Sequence, residues 1–332
     1  MHVVVFGIGA IGGFYGITLA RYLKNNPRED FKISFIARGQ TFENLKHFGA
    51  KLICKRDTLG EMQESIVVEN NFTLVKKYQE LEINPDEYTL VLLCVKSKDT
   101  IDACEDIKTK LTDKTAVISV QNGIENEERI AKVLGSKHAI GSLTTIAAET
   151  LEPGIYLQKG GYGFTIGELT ENIGYKWAGQ NRIDYIYNFF KEAGLSVSQT
   201  ENIKEELWIK LVWNAAFNPI SVLYENTVGQ LLSDPKKKAL IEGVMFEVTE
   251  VAAAEGYKLP EGIEQKQISR TTSPVWYDFR TSMLQDFQKG REIELDDLLG
   301  VIVRKAKEHD IDVPNAEKVF SELSAVIARP TK

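Results

Sequence analysis

The stretch HVVVFGIGAIGGFYG, residues 2–16, constrains the fold more than any other part of the chain. His2–Phe6 is apolar at nearly every position rather than at every second one. That pattern fits a strand buried on both faces, as in a parallel sheet. Gly7, Gly9 and Gly12 follow in G-x-G-x-x-G spacing, and a helical pattern opens directly after them. The physical reading is a tight turn at Gly7, close backbone approach to a pyrophosphate at Gly9, and helix–strand packing at Gly12. Ala10 and Ile11 complete the loop at the helix N-terminus, where N–H groups have no helical partner. Glycines that serve only the turn are the alternative. The strand before and the helix after favour dinucleotide binding.

Further runs of the same kind, KISFIA (32–37), TLVLLCV (89–95), TAVISV (115–120) and HAIGS (138–142), alternate with helical stretches such as ENEERIAKVL after Asn122-Gly123. Alternation of this kind implies an α/β fold with an N-terminal Rossmann doubly wound parallel sheet. IYLQKG and YGFTIGEL, within 155–169, look like a later hairpin, followed by a helix at about 179–193 and a strand at 195–199. Beyond Asn202 strand-like runs stop, and helical patterns occupy 203–224, 235–256, 275–290 and 293–309. The expected division is a domain over 1–201 and a C-terminal all-helical domain over 202–332. EGYKLP and HDIDVPN read as turns between helices.

Forty basic against 47 acidic side chains leave a net charge of -7, which argues against a nucleic-acid partner. Lys236–Lys238 reads as a solvated helix end. Four scattered histidines offer no ligand pair, so no metal is expected. Cys54, Cys94 and Cys104 lack redox or metal spacing, which points to a reduced, cytoplasmic setting. No run approaches the roughly 20 apolar residues of a membrane span, and no leader pattern precedes the first strand, so neither membrane nor export is expected.

Residue choice at the second strand discriminates between dinucleotides. An acidic residue at its carboxyl end would grip a ribose 2′-hydroxyl. Asp30 lies at the wrong end, and the residue at the right end is Arg38, whose charge and fork geometry suit a 2′-phosphate. NADP(H) is therefore the expected cofactor, a solvated loop charge being the alternative. Lys96 and Asn122 follow the third and fourth strands, at carboxyl ends where ligands of such sheets bind. Lys98 could replace Lys96, and a plain turn also explains Asn122-Gly123.

In ELWIKLVWNAAFNPISVL (206–223), Lys210, Asn214 and Asn218 stand four residues apart in an otherwise apolar segment, so they share one helix face. Burying such groups without partners is costly. A lysine snorkelling from a surface helix fits the same pattern, and Asn218 before Pro219 also fits a helix end. Trp208, Trp213 and Phe217 read as core, and Asp286 as structural.

The GIGAIGG loop, Lys96, the QNG turn at 121–123, ELWIKLVWNAAFNPISVL, SMLQD (282–286) and the helix start at Glu294 occur in the order found in the ketopantoate reductase family, which the chain resembles over nearly its whole length. The resemblance implies NADPH-dependent reduction of a small-molecule 2-keto acid, 2-dehydropantoate, to pantoate on the way to coenzyme A. It implies Lys210 as the catalytic lysine, with Glu294 beside the nicotinamide ribose and the substrate. It further implies substrate contacts from Asn122, Asn214, Asn218, Thr281 and Ser282, and cofactor contacts from Lys96, Asn122, Glu294 and, by backbone, Ala147. A cleft that closes between the two domains is expected, and a homodimer is compatible. Phe279, Thr281, Ile293 and Leu299-Gly300 depart from the family's usual residues. A reductase of another branched, bulkier 2-keto acid and a non-catalytic NADPH-binding regulator are the rival readings.

Overall fold

The computed structural model describes residues 1–28, 30–56, 62–69, 71–161 and 163–328. Two compact units emerge: Met1–Gln121 with Glu125–Ile203, and Asn122–Ile124 with the chain from Lys204 onward.

In the first unit, β1 (His2–Phe6), β2 (Lys32–Ile36), β5 (Thr73–Val75), β6 (Thr89–Leu93), β7 (Thr115–Ser119), β8 (Ala139–Thr144), β11 (Phe164–Glu168) and β14 (Val197–Gln199) form one sheet in the order β14-β11-β8-β7-β6-β1-β2-β5. Every neighbouring pair is parallel except β8 with β11. β1, β6 and β7 are buried at every position, as continuous apolar runs require. Helices α1 (Ala10–Asn25), α2 (Gly39–Phe48), α3 (Thr100–Lys108), α4 (Asn126–Leu134) and α5 (Arg182–Glu192) belong to this unit, as does a two-stranded ribbon of β12 (Lys176–Trp177) and β13 (Gln180–Asn181).

A second sheet, in the order β4-β3-β10-β9, joins β3 (Ala50–Arg56), β4 (Met62–Val68), β9 (Ala147–Glu152) and β10 (Ile155–Gly160). It corrects the expected hairpin over 155–169. β10 pairs with β9 and β3, whereas β11 pairs with β8 and β14 in the other sheet. The glycines between them make a crossing rather than a hairpin turn. A Cβ on Gly161, at φ +68, would meet the Thr145 carbonyl oxygen at 2.1 Å, and the Thr145 N–H donates to the Gly163 carbonyl. The chain passes from β8 to β9 at that same Thr145, so both crossings run side by side.

In the second unit α6 (Ile203–Leu223) runs unbroken through Pro219, so Asn218 is not at a helix end. α7 (Val228–Ser233), α8 (Pro235–Ala254), α9 (Ile263–Thr271), α10 (Ser282–Gln288), α11 (Val301–Glu308) and α12 (Pro314–Ile327) complete it. The single helix expected over 275–290 is two pieces. A tight turn covers Pro274–Trp276, and α10 starts afresh because the Thr281 hydroxyl accepts the Leu284 N–H as an N-cap. The expected 293–309 helix contains a π-helical turn at Asp296–Gly300 before α11. Among the described residues no helix is long and apolar enough to cross a membrane, and the three cysteines are free.

One buried polar pair decides local order in the α/β unit. Arg182, at the start of α5 and 2% exposed, donates from Nε to Glu168 on β11 at 2.7 Å, and from Nη1 to the Lys137 carbonyl at 2.5 Å. Removing one partner strands a buried charge, at a cost of roughly 3–5 kcal/mol. Arg182→Met is expected to lose about that much in denaturant unfolding; a change under about 1 kcal/mol would show the pair to be dispensable.

Candidate active site

The first half-site is the loop between β1 and α1. Gly7 has φ +94, and a Cβ there would meet Val95 Cγ1 at 2.9 Å. A Cβ on Gly12 would meet the Gly7 carbonyl oxygen at 2.0 Å, so the loop closes only with glycine at both positions. At Gly9 the same construction meets nothing within 4 Å, and the residue is exposed. The N-cap Gly9 brings no side chain to the orphan N–H groups of α1. An open backbone cradle at a helix N-terminus is what a pyrophosphate needs, so these residues fit a dinucleotide.

Arg38 is exposed, two residues past the carboxyl end of β2, and caps the start of α2. Asp30 precedes β2 and is tied to Arg28 at 2.7 Å. Lys96 is exposed at the turn after β6, where its carbonyl accepts the Asp99 N–H at 2.8 Å. Ala147 is half-buried at the start of β9.

Two supports of this half-site were not legible in the sequence. Tyr156 on β10 is fully buried and donates its hydroxyl to the Ile8 carbonyl at 2.8 Å, inside the glycine loop. A Cβ on Gly13 would lie 2.5 Å from its ring. Gln121, just past β7, donates to the Val95 carbonyl at 3.0 Å and to Thr100 Oγ1 at 2.8 Å. It thereby ties together the loops after β6 and β7. Both contacts span long sequence separations, and no local pattern announces them.

The second half-site lies within the helical unit. Leu207, Trp208, Leu211, Val212, Ala215, Ala216, Phe217, Ile220 and Val222 of α6 are all buried, and they fix the orientation of the remaining face. Lys210 and Asn214 are half-buried on that face, and Asn218 is 2% exposed. Lys210 Nζ donates to Asn122 Oδ1 at 3.0 Å. Lys204, one and a half turns earlier, donates to the Ile124 carbonyl at 2.8 Å, so both ends of the Asn122–Ile124 segment are held to α6. Burial pushes the Lys210 ammonium down to about 8, and the Glu294 carboxylate offsets part of that fall. Glu294 is half-buried two residues before the π-helical turn, and its carbonyl accepts the Leu298 N–H.

At α10, Ser221 Oγ donates to the Asn218 carbonyl at 2.7 Å and meets Thr281 Oγ1, also at 2.7 Å. Since the Ser221 proton is used, Thr281 donates to Ser221 while accepting from Leu284. Thr281 is 1% exposed. Ser282, the next residue, is exposed at the first position of α10. The Met283 N–H lies at a long 3.5 Å from Asn218 Oδ1.

Comparison with known proteins gives a consistent picture. The family model described as "Ketopantoate reductase PanE/ApbA" matches residues 3–171, and "Ketopantoate reductase PanE/ApbA C terminal" matches 202–327. A 2-dehydropantoate 2-reductase of Pyrococcus horikoshii is 30% identical, with 95% of this chain and 93% of that one covered. Its counterpart from Mesorhizobium japonicum is 26% identical over 97% of this chain and 96% of its own. The crystal structure of 2-dehydropantoate 2-reductase from Methylococcus capsulatus is 29% identical with a TM-score of 0.82, covering 100% of this chain and 98% of that one.

The lowered Lys210 value carries a stability consequence with a definite sign. Between about pH 8 and the ordinary lysine value of 10.5, the unfolded chain holds a proton that the folded chain has lost. Stability contributed by this group therefore rises with pH across that window. Lys210→Met is expected to stabilise the protein at pH 7 by about 1–3 kcal/mol, the full shift being discounted because the side chain is only half-buried. The gain should shrink towards pH 10. A destabilised variant at pH 7 would contradict the assignment of burial as the cause.

Proposed function

The chain belongs to the ketopantoate reductase family, and from that premise we propose that it reduces a 2-oxo acid, 2-dehydropantoate first among them, to the 2-hydroxy acid with NADPH. The observation that carries this reading is the desolvated Lys210 ammonium, bonded to Asn122 and in line with Asn214 and Asn218 on one face of α6. Bound NADPH would supply a hydride to the C2 carbonyl carbon. The residues of the chain do the rest. Lys210 stabilises the oxygen that gains charge at C2 and gives it a proton, and a value near 8 keeps that proton available at neutral pH. Asn122 aims the ammonium, and Glu294 favours its charged form. Asn214 and Asn218 orient substrate oxygens without adding charge, and Ser282 donates to the carboxylate. Thr281, whose hydroxyl bonds Ser221 and accepts the Leu284 N–H, caps the helix that carries Ser282.

For the cofactor we assign Gly7, Gly9, Ala10, Ile11 and Gly12 to the pyrophosphate, Arg38 to the 2′-phosphate, and Lys96, Ala147, Asn122 and Glu294 to the remainder. Residues 1–201 thus carry the dinucleotide, and 202–332 most of the acid-binding and proton-donating groups. The 1–201 and 202–332 division, cytoplasmic residence and a homodimer belong to the same reading. The aromatic turn at Trp276–Phe279 favours a second reading, in which the acid is bulkier than 2-dehydropantoate. A purely NADPH-binding regulator would have no use for a desolvated lysine.

NADPH consumption at 340 nm with 2-dehydropantoate tests the proposal. Lys210→Ala is expected to lose roughly 100-fold or more in kcat, the scale of a lost general acid. Turnover should fall as pH rises through about 8, where the folded lysine loses its proton. Arg38→Ala is expected to raise KM for NADPH while leaving KM for NADH nearly unchanged. Tight NADPH binding without turnover of any 2-oxo acid would sink the enzymatic reading.

A further inference from the structure

Trp213, Phe217, Trp276 and Phe279 form a connected set of rings in the helical unit. Trp213 stacks on Phe217 with 4.7 Å between centroids, and it meets Trp276 at 5.9 Å and Phe279 at 6.3 Å. Trp276 and Phe279 meet edge to face at 4.6 Å. Phe217 is fully buried and forms the floor, while the other three rings keep part of their surface open.

The turn that presents two of these rings is fixed in place. Phe279 N–H donates to the Trp276 carbonyl at 3.1 Å. At the start of α7, Val228 and Gly229 donate to the Phe279 and Tyr277 carbonyls at 3.0 and 3.1 Å. A Cβ on Gly229 would lie 2.4 Å from Tyr277, so the seat depends on glycine.

Position on α6 ties the rings to the polar row. Trp213 lies three residues after Lys210, and Phe217 three after Asn214, so the aromatic row runs beside the polar row about 60° around the helix. On the other side, Phe279 is followed after one residue by Thr281 and Ser282. Trp213 also buries its indole Nε1, which has no acceptor among the described residues.

We propose that this aromatic wall receives the side chain of the 2-oxo acid, and that the chain acts on acids whose C2 substituent carries a flat aryl ring. The inference rests on the reductase reading above and names a substrate class for it. An aryl ring can meet Trp276 and Phe279 edge to face, as those two already meet each other. A small branched, hydroxylated side chain such as that of 2-dehydropantoate leaves most of the wall uncovered.

The test compares kcat/KM with NADPH for phenylpyruvate, benzoylformate and 2-dehydropantoate in the full-length protein. The aryl acids are expected to equal or exceed 2-dehydropantoate. Phe279→Ala should lower the aryl-to-dehydropantoate ratio by about tenfold or more, and Phe279→Leu by less, because lost apolar contact in a pocket acts on that scale. Turnover of 2-dehydropantoate without turnover of the aryl acids overturns the inference and leaves the reductase reading standing. An unchanged ratio in Phe279→Ala also overturns it, since the rings would then be core alone. If no acid is reduced, saturable quenching of tryptophan fluorescence by phenyllactate with NADP+ present still decides. Quenching that weakens about tenfold in Phe279→Ala supports the wall and removes only the reductase; no saturable quenching removes the wall.

Discussion

An ammonium group drawn out of water by the apolar body of α6 is the constraint around which the helical unit is arranged. The buried apolar side chains of that helix fix which way Lys210 points, so its charge cannot be relieved by turning the helix. Compensation has to come from neighbours. Asn122 supplies an acceptor, and Lys204 holds the Ile124 end of the same segment. These three residues accordingly group with the helices although the strand before them and the helix after them do not. Glu294 contributes the opposite charge from the residue before a helix begins. The residual cost of desolvation is retained as a lowered proton affinity, which is the property a proton donor at neutral pH requires.

The α/β unit answers to a different constraint, the space left by missing side chains. Gly7 and Gly12 let the loop fold back on itself, and Gly9 leaves its outer side open. A turn so tight needs bracing, and the second sheet provides it through Tyr156, which bonds the Ile8 carbonyl and fills the place of a Gly13 side chain. Gln121 braces the neighbouring loops in the same way. The small sheet thus braces the glycine loop rather than standing as an appendage.

Most of this was legible in the sequence where the signal is local. β1, β6 and β7 announce themselves because strands buried on both faces are apolar throughout, and α6 shows its polar face by four-residue spacing. The family's motifs then lent each polar residue an expected role. What was misread depends on non-local facts. The Gly160–Gly163 run looks like a hairpin turn, and only the partner strands reveal two sheets with a crossing between them. Residues 275–290 carry a continuous helical pattern, but Thr281 caps a new helix and the α7 N–H groups hold the preceding turn. Trp213 reads as core by composition; its partly open ring surface appears only in three dimensions. The commitment of the Thr281 hydroxyl to Ser221, sixty residues away, is likewise invisible to any window.

Burial holds the proton affinity of the Lys210 ammonium below that of an ordinary lysine. Its direct measurement is an NMR titration of 13C-labelled lysine side chains, with the Lys210 resonance assigned by its loss in Lys210→Met. A midpoint near 8 for that one resonance, against about 10.4 for solvated lysines, is the predicted result. A midpoint in the ordinary range would contradict the account, since Lys210 would then be a hydrated side chain and the polar row of α6 would need another explanation.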